Sequence, residues 1–441
     1  MHAFAASLFL QAPKKPEIMI QILRKLRTRY APPESFRSHV LTLMTGTTIA
    51  QAIPIVASPI ITRLYVPKDF GVFAEFLAIV SILSTISTLR YDYAITISKS
   101  TLEAKHLAVL SLASLCTFLI LAIPFYCLSG HVYLIKYKSL SNRFVVCSIA
   151  VGVILTVAYN IFYNYGLSRG AVHRISVVRV LNSTINAASS IVLSFFTNVG
   201  MIFSYLLGYC VGVFVLRFRE GAEDTCKNKV RYSELKSTAK KYMDFPLYMT
   251  AHSLLNSLIF NLPVLFLGYY YSSQESGYFS IALRLFIPFD ILSLAVSQTL
   301  LPKMTKMDSP EELYSFSKRL FFKLLWCTAP AVLLVVLFGQ SIFTTVFGVR
   351  YSMSGIYFQI MSPMLYVRFF GSIFSNILII TRRQKFGLMM EILNFGVVMT
   401  VFGLFNRSCY ETLILFSLSS LSVSLFKLWF YFRSAKALAH A

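Results

Sequence analysis

Apolar runs separated by short polar corners recur along almost the whole chain, and each is about 18 to 25 residues long, the length an α-helix needs to cross a bilayer core of about 30 Å. Twelve such runs are predicted as transmembrane helices, at 40–61, 72–97, 107–128, 144–163, 175–195, 199–216, 246–268, 278–301, 320–339, 356–380, 386–405 and 411–432. The fold class expected is therefore an all-α integral membrane protein.

The longest internal hydrophilic segment, residues 217–244, divides these runs six and six. The two sides repeat one another. Gln51, Pro59 and Gly71-Val72-Phe73-Ala74 in the first half correspond in order, at nearly the same spacing, to Asn256, Pro263 and Gly277-Tyr278-Phe279-Ser280 in the second, and Val180-Leu181-Asn182 corresponds to Ile392-Leu393-Asn394. An even number of spans per unit makes the repeat parallel, so two pseudo-symmetric six-helix lobes around a central cavity are expected. Their limits are 40–217 and 245–432, joined by a linker at 218–244 and flanked by tails at 1–39 and 433–441.

Charge fixes the expected orientation. Counted over alternate segments starting with the N-terminal tail, 28 lysines and arginines fall on one side and 7 on the other, which by the positive-inside rule makes both termini cytoplasmic. In the tail, Ile18, Met19, Ile22, Leu23 and Leu26 recur at helical spacing beside Arg24, Lys25, Arg27 and Arg29, a pattern for a helix lying on anionic lipid; a disordered basic tail is the other reading.

Composition agrees with the membrane reading and removes competitors. Of 441 residues 56% are hydrophobic and 13% charged, with a mean hydropathy of +0.66, too apolar for a soluble protein of this length. The net charge of +23 is spread over the loops between apolar runs, so no nucleic-acid partner is expected. Seven cysteines lie without metal-ligand spacing, so neither a metal, a disulfide framework nor a cofactor is expected. His39, His106, His131, His173 and His252 are isolated and read as interfacial residues.

Candidate chemistry lies in the polar positions inside the spans. Arg179, Asn182, Ser183, Asn186 and Ser190 share one helix face, as do Arg368, Ser372, Ser375 and Asn376, and as do Ser81, Ser84, Thr85, Thr88 and Asp92. Single hydroxyls in a span usually serve helix packing, whereas a stripe ending in an arginine is equally consistent with lining a cavity. Arg90, Arg179, Arg284 and Arg368 would together cost about 12 kcal/mol if left unpaired in hydrocarbon, at roughly 3 kcal/mol each. Asp92, Asp290 and Glu391 can neutralise three at most. A net cationic cavity suited to a phosphate or diphosphate follows, because guanidinium forks grip such anions bidentately. Arg179 and Glu391 occupy matching positions of the two repeats and are expected to pair or compete across the lobe interface. Lys323 and Lys427, near helix ends, are expected to snorkel to headgroups.

Several elements together carry a family resemblance. Thr62-Arg63-Leu64-Tyr65 with Pro67, Asp69, Phe70 and Gly71, then Leu89-Arg90-Tyr91-Asp92 with aspartate where glutamate is usual, resemble sequence elements of the polysaccharide flippases that translocate O-antigen and capsule repeat units, within the superfamily that also holds multidrug extruders and the lipid II flippase. Phe245-Pro246-Leu247-Tyr248, Asn256, Pro263, Gly277, Ala282, Arg284, Pro288, Gln298, Pro302, Val346-Phe347-Gly348 and Arg383-Gln384-Lys385 continue the resemblance.

The resemblance implies a flippase moving an undecaprenyl-diphosphate-linked oligosaccharide repeat unit across a bacterial inner membrane by alternating access. Proton or sodium coupling and other polysaccharide-assembly proteins enter as candidate partners beside membrane lipids. Arg90, Arg179, Arg284 and Arg368, with Asn182 and Asn186, are the expected substrate-binding residues. Arg63, Asp69, Asp92, Asp290 and Glu391 are expected to gate or couple, a helix-capping role for Asp69 being the alternative. Pro54, Pro59, Pro263 and Pro288 are candidate bends. A multidrug or cation extruder of the same fold would want more acid than arginine in the cavity. A polysaccharide-processing membrane enzyme would want a large outer loop or paired histidines.

Overall fold

The computed structural model describes residues 36–98, 100–133, 143–219, 231–305, 307, 309–381, 383–404 and 408–437, and the regular structure among them is helical. The tail helix expected near residues 18–29 lies outside the described residues.

In chain order the helices are α1 (Phe36–Leu64), α2 (Pro67–Ser87), a short α3 (Tyr91–Ala94), α4 (Thr101–Tyr133), α5 (Arg143–Ser168), α6 (Val172–Leu193) and α7 (Gly200–Arg219). After the linker come α8 (Tyr232–Lys241), α9 (Thr250–Tyr270), α10 (Ser273–Arg284), α11 (Ile287–Met304), α12 (Pro310–Phe347), α13 (Ser352–Phe374), a short α14 (Asn376–Ile380), α15 (Gln384–Leu404) and α16 (Cys409–Ala437). Helix starts are encoded locally. Pro67 opens α2 with the Asp69 carboxylate accepting the Val66 N–H at 3.2 Å, and the Ser272 and Ser309 hydroxyls accept the N–H groups of Glu275 and Glu312 at 3.3 and 3.1 Å. Gly348, at φ +98°, ends α12 in a conformation that a side chain would strain.

Long helices alternate in direction, which brings the corners after α1, α6, α9 and α12 to one end of the bundle, here the corner end. At that end the Tyr351 hydroxyl donates to the Tyr65 carbonyl at 2.8 Å. α2 packs closely on α9 and α10, α1 on α6, α5 and α6 on α7, and α13 on α12 and α16. One continuous apolar core, including Phe70, Phe76, Tyr351 and Phe369, runs through both halves.

Ten helices among the described residues are long and apolar enough to cross a membrane, or eleven when α10 and α11 are joined as one span bent by 43°. The expected span at 356–380 corresponds to α13, which has the length but is not among those apolar enough; Gln359 and Arg368 interrupt it. Three expected spans are not single rods, that at 356–380 being divided between α13 and α14 at Ser375. The second, expected to run from 72 to 97, stops at Ser87, and Leu89 and Arg90 turn left-handed at φ +48° and +58° before α3 begins. Side-chain bonds replace the helical ladder at this break: Thr88 Oγ1 donates to Asp92 Oδ1 at 2.7 Å and accepts the Arg90 N–H at 3.3 Å. Left-handed residues cost about 1–2 kcal/mol each, so the break is held by its surroundings. The eighth span breaks at Leu285 and Phe286, just ahead of Pro288.

The linker helix α8 rests on the start of α4. Lys241 and Tyr242 donate to the Glu103 carboxylate. His106, 3% exposed, has Nε2 3.5 Å from Glu234 and Nδ1 3.3 Å from the Thr238 hydroxyl. His106 is thus a buried contact of the linker helix, where an isolated interfacial histidine was expected.

Candidate substrate site

Three of the four span arginines are held by aromatic faces. Arg179 lies 4.7 Å from the Tyr163 ring centroid, Arg284 5.0 Å from that of Phe70, and Arg368 4.2 Å from that of Phe260. Such contacts are worth about 0.5–2 kcal/mol and leave the charge un-neutralised. Arg179 also donates to the Thr47 hydroxyl on α1. Among the described residues no carboxylate lies within 4.0 Å of Arg90, Arg179 or Arg284 to form an ion pair. Arg368 differs, because Asp290 and Glu391 are close enough to interact with it electrostatically. Arg90 projects from the left-handed break, and its buried Nε has no hydrogen-bond partner among the described residues.

The remaining predicted residues divide between the site and the scaffold. Asn182 and Asn186 lie against Gly208 of α7, where an added Cβ would come within 2.6 Å of Asn182 Oδ1. Asp69 caps α2, while Arg63 is exposed in the last turn of α1. Asp92 is 3% exposed; besides Thr88 it is fixed by Asn164, whose Nδ2 donates to its carbonyl at 3.0 Å. Asp290 occupies the first turn of α11.

Glu391 accepts from Lys427 Nζ at 2.8 Å, so in this conformation the partner of Glu391 is the neighbouring helix α16 and not Arg179. Lys427 correspondingly does not reach for headgroups, since a carboxylate at hydrogen-bond distance is a better partner inside the bundle. The stripe from Arg368 turns its lower part to a helix interface: Asn376 donates to the Ser297 carbonyl and hydroxyl at 2.9 Å, and Ser372 lies 3.4 Å from Ser293. The second span's stripe also serves packing at Ser81, which meets Ser257 and Asn261 of α9 at 3.4 Å.

Above Arg284 the corner end is closed by an aromatic layer. Phe70 stands edge-on to Tyr65 and Tyr351 at centroid distances of 6.4 and 5.7 Å, all three at most 2% exposed. The Tyr65 hydroxyl donates to the Ser190 carbonyl at 2.9 Å, tying the layer to α6. Next to it α2 and α10 make the seam between the first and second halves of the chain, at Gly71 and Gly277, with Glu75 fully buried beside Ser276. Sequence reasoning passed over Glu75. Its signal was an acid inside the second apolar run, missed because only Asp92, Asp290 and Glu391 entered the count of span acids.

The sequence profile of the family described as polysaccharide biosynthesis protein matches residues 36–308. The chain belongs to that family. No curated protein is similar enough to match. Among solved structures, this family member resembles a multidrug resistance MATE transporter of the MOP superfamily in its inward-facing conformation, at 13% identity and a TM-score of 0.66, over 90% of this chain and 96% of that one. It also resembles the lipid II flippase MurJ in an inward closed conformation, at 9% identity and a TM-score of 0.66, over 90% of each chain. A MOP superfamily transporter from Pyrococcus furiosus, described as having a binding pocket of reverse polarity, matches at 15% identity and a TM-score of 0.60, over 91% of this chain and 96% of that one. The polysaccharide biosynthesis family member thus has the fold of these transporters, built from ten or eleven helices among the described residues that are long and apolar enough to cross a membrane.

Proposed function

We propose that this protein flips undecaprenyl-diphosphate-linked oligosaccharide repeat units from the cytoplasmic to the outer leaflet of a bacterial inner membrane by alternating access. In this reading residues 40–217 and 245–432 form the two lobes, 218–244 the linker, and both termini are cytoplasmic, so the corner end faces outward and is the closed side. The observation that carries it is that Arg179 and Arg284 are held inside the bundle by aromatic faces, with no carboxylate ion pair among the described residues. An aromatic face positions a guanidinium without cancelling its charge, which leaves both forks able to take a diphosphate. Arg90 and Arg368 complete the anion-binding set, and Asn182 and Asn186 offer amides to sugar hydroxyls. Arg63, Asp69, Asp92, Asp290 and Glu391 gate the lobes or couple them to a proton or sodium gradient.

A multidrug extruder of the same fold is the second reading, favoured by the acids Asp290 and Glu391 beside Arg368. Binding separates the two. Purified protein in nanodiscs should retain a lipid-linked diphosphate sugar in preference to the same lipid monophosphate without sugar and in preference to organic cations, and turn none of them over. Preference for the cations would reverse the assignment.

A further inference from the structure

The seam between α2 and α10 contains a carboxyl group to which the substrate site gives no role. Glu75 lies about 12 Å into α2 at 1.5 Å per residue and is 0% exposed. Its Oε1 is 2.8 Å from Ser276 Oγ of α10, and a Cβ built on Gly268 of α9 would fall 2.2 Å from the same oxygen. The carboxyl thus reaches from the first half of the chain into a slot made by the second, and glycine at 268 is what leaves room for it.

Hydrogen-bond accounting then bears on its proton. Ser276 Oγ lies 2.9 Å from the Ser273 carbonyl as well as 2.8 Å from Glu75. A serine hydroxyl has one proton to give, and neither a carbonyl nor an ionised carboxylate can donate. With Glu75 ionised, the two acceptors must share that one proton in a three-centre bond, and neither contact is a full hydrogen bond. With Glu75 protonated, its O–H donates to Ser276 Oγ while Ser276 donates to the Ser273 carbonyl, and both contacts are satisfied. We propose that Glu75 is a proton-binding site of the closed seam, occupied while α2 and α10 are packed together and emptied to water when they part.

The step is a bare proton transfer from carboxyl to water, with no other bond made or broken. Parting the helices hydrates the carboxylate, so the ionised form favours the open seam and the protonated form the closed one. The charged and titratable groups that α10 brings to this region are Glu275, Tyr278 and Arg284. Glu275 accepts from Tyr357, Tyr278 from Gln274, and Arg284 lies on Phe70. From α9 come Tyr269 and Tyr270, followed by Tyr271 at its C-terminal cap, which is bonded to Thr412; from α7 comes Tyr205, which meets Phe76 and bonds Thr156.

The test uses the full chain in nanodiscs without substrate, so it stands or falls apart from the cargo assignment. Infrared difference spectra between acid and alkaline pH should contain the carbonyl stretch of a protonated, buried carboxylic acid that Glu75→Gln removes. Amide hydrogen exchange at the peptides containing Gly71 and Gly277, corrected for intrinsic rates, should report a seam-opening constant that rises by up to about tenfold per pH unit for one linked proton in the wild type and stays flat in Glu75→Gln. A band that survives the substitution, or an exchange profile shared by both proteins, overturns the proposal. Should Glu75→Gln fail to fold, Ser276→Ala takes its place: the carboxyl band must then shift, because its hydrogen-bond partner is gone, and an unshifted band overturns the proposal equally.

Discussion

Gly71 and Gly277 make reciprocal contacts across the seam. A Cβ on Gly71 would lie 1.5 Å from the Ser273 carbonyl oxygen, and a Cβ on Gly277 would lie 1.9 Å from the Pro67 carbonyl oxygen. Ser273 stands four residues before Gly277, as Pro67 does before Gly71, so each glycine meets the same position of the other helix. The contact is therefore locally twofold, and it falls on the segment that repeats between the halves of the sequence.

Either Gly→Ala change at this seam puts a methyl group into backbone that cannot move aside. Overpacking of this kind costs about 1–3 kcal/mol. Gly71→Ala and Gly277→Ala should each lower the thermal unfolding midpoint in detergent and raise hydrogen exchange at the corner end. Gly403→Ala, where an added Cβ meets nothing within 4 Å, should leave both unchanged or slightly improved.

The aromatic layer supplies a second, separable contribution. Removing the Tyr351 hydroxyl leaves the Tyr65 carbonyl without that donor in a buried layer, which costs about 1–3 kcal/mol. Tyr351→Phe should keep the fold and the ring contact with Phe70 while increasing labelling, by a water-soluble reagent, of a cysteine placed at Ser190. Unchanged labelling would mean that ring packing alone closes the corner end.

How much of this was readable beforehand differs between levels. The repeat at Gly71 and Gly277 was legible, because close backbone approach demands glycine and both copies kept it in the same local sequence. The helical spans were legible from length and apolarity. The break at Leu89 and Arg90 was not, since the bonds that replace the ladder come from Thr88 and Asp92, residues that fit equally well on a polar helix face. The partners of charged residues were also beyond reach. Whether Glu391 meets Arg179 or Lys427 depends on which helices pack side by side, and matching positions in a repeat say nothing about that. The four arginines could be found by their cost in hydrocarbon, but not the aromatic faces that hold three of them.

Arg284 lies against Phe70 of the aromatic layer, and under the proposed function its charge and its fork can be tested apart. Arg284→Ala should abolish flipping while the protein stays in the membrane, and Arg284→Lys should retain only part of the activity, because an ammonium cannot grip a diphosphate bidentately or lie flat on Phe70. Transport of labelled lipid-linked sugar in vesicles, normalised to protein, is the measurement. Normal flipping by Arg284→Ala would remove this residue from the site.

The latch of α8 on α4 gives a pH dependence with a definite sign. The hydrogen bond to Glu103 raises the Lys241 amine above its ordinary value of 10.5. A group whose folded value is raised contributes fully below its unfolded value and loses that contribution as pH climbs through the folded one. Hydrogen exchange of α8, corrected for intrinsic rates, should therefore be flat with respect to this pair from pH 6 to 9 and increase only in strong alkali. Glu103→Gln should bring the faster exchange to neutral pH.

The Lys427 and Glu391 pair tests the local assignment against the expectation from the repeat. Both side chains are less than one-third exposed, so Glu391→Gln leaves an ammonium short of its partner, at a cost of about 2–3 kcal/mol, somewhat under that for breaking a fully buried pair. The reversed pair, Glu391→Lys with Lys427→Glu, should recover most of the loss, because the two positions face each other between α15 and α16. Exchange of Glu391 with Arg179 should recover none, because Arg179 is held by Tyr163 and Thr47 on the other half of the chain. Thermal unfolding midpoints of the two double variants against their single parents decide it. Recovery by the second double variant alone would assign Glu391 to Arg179 in the state that dominates in solution.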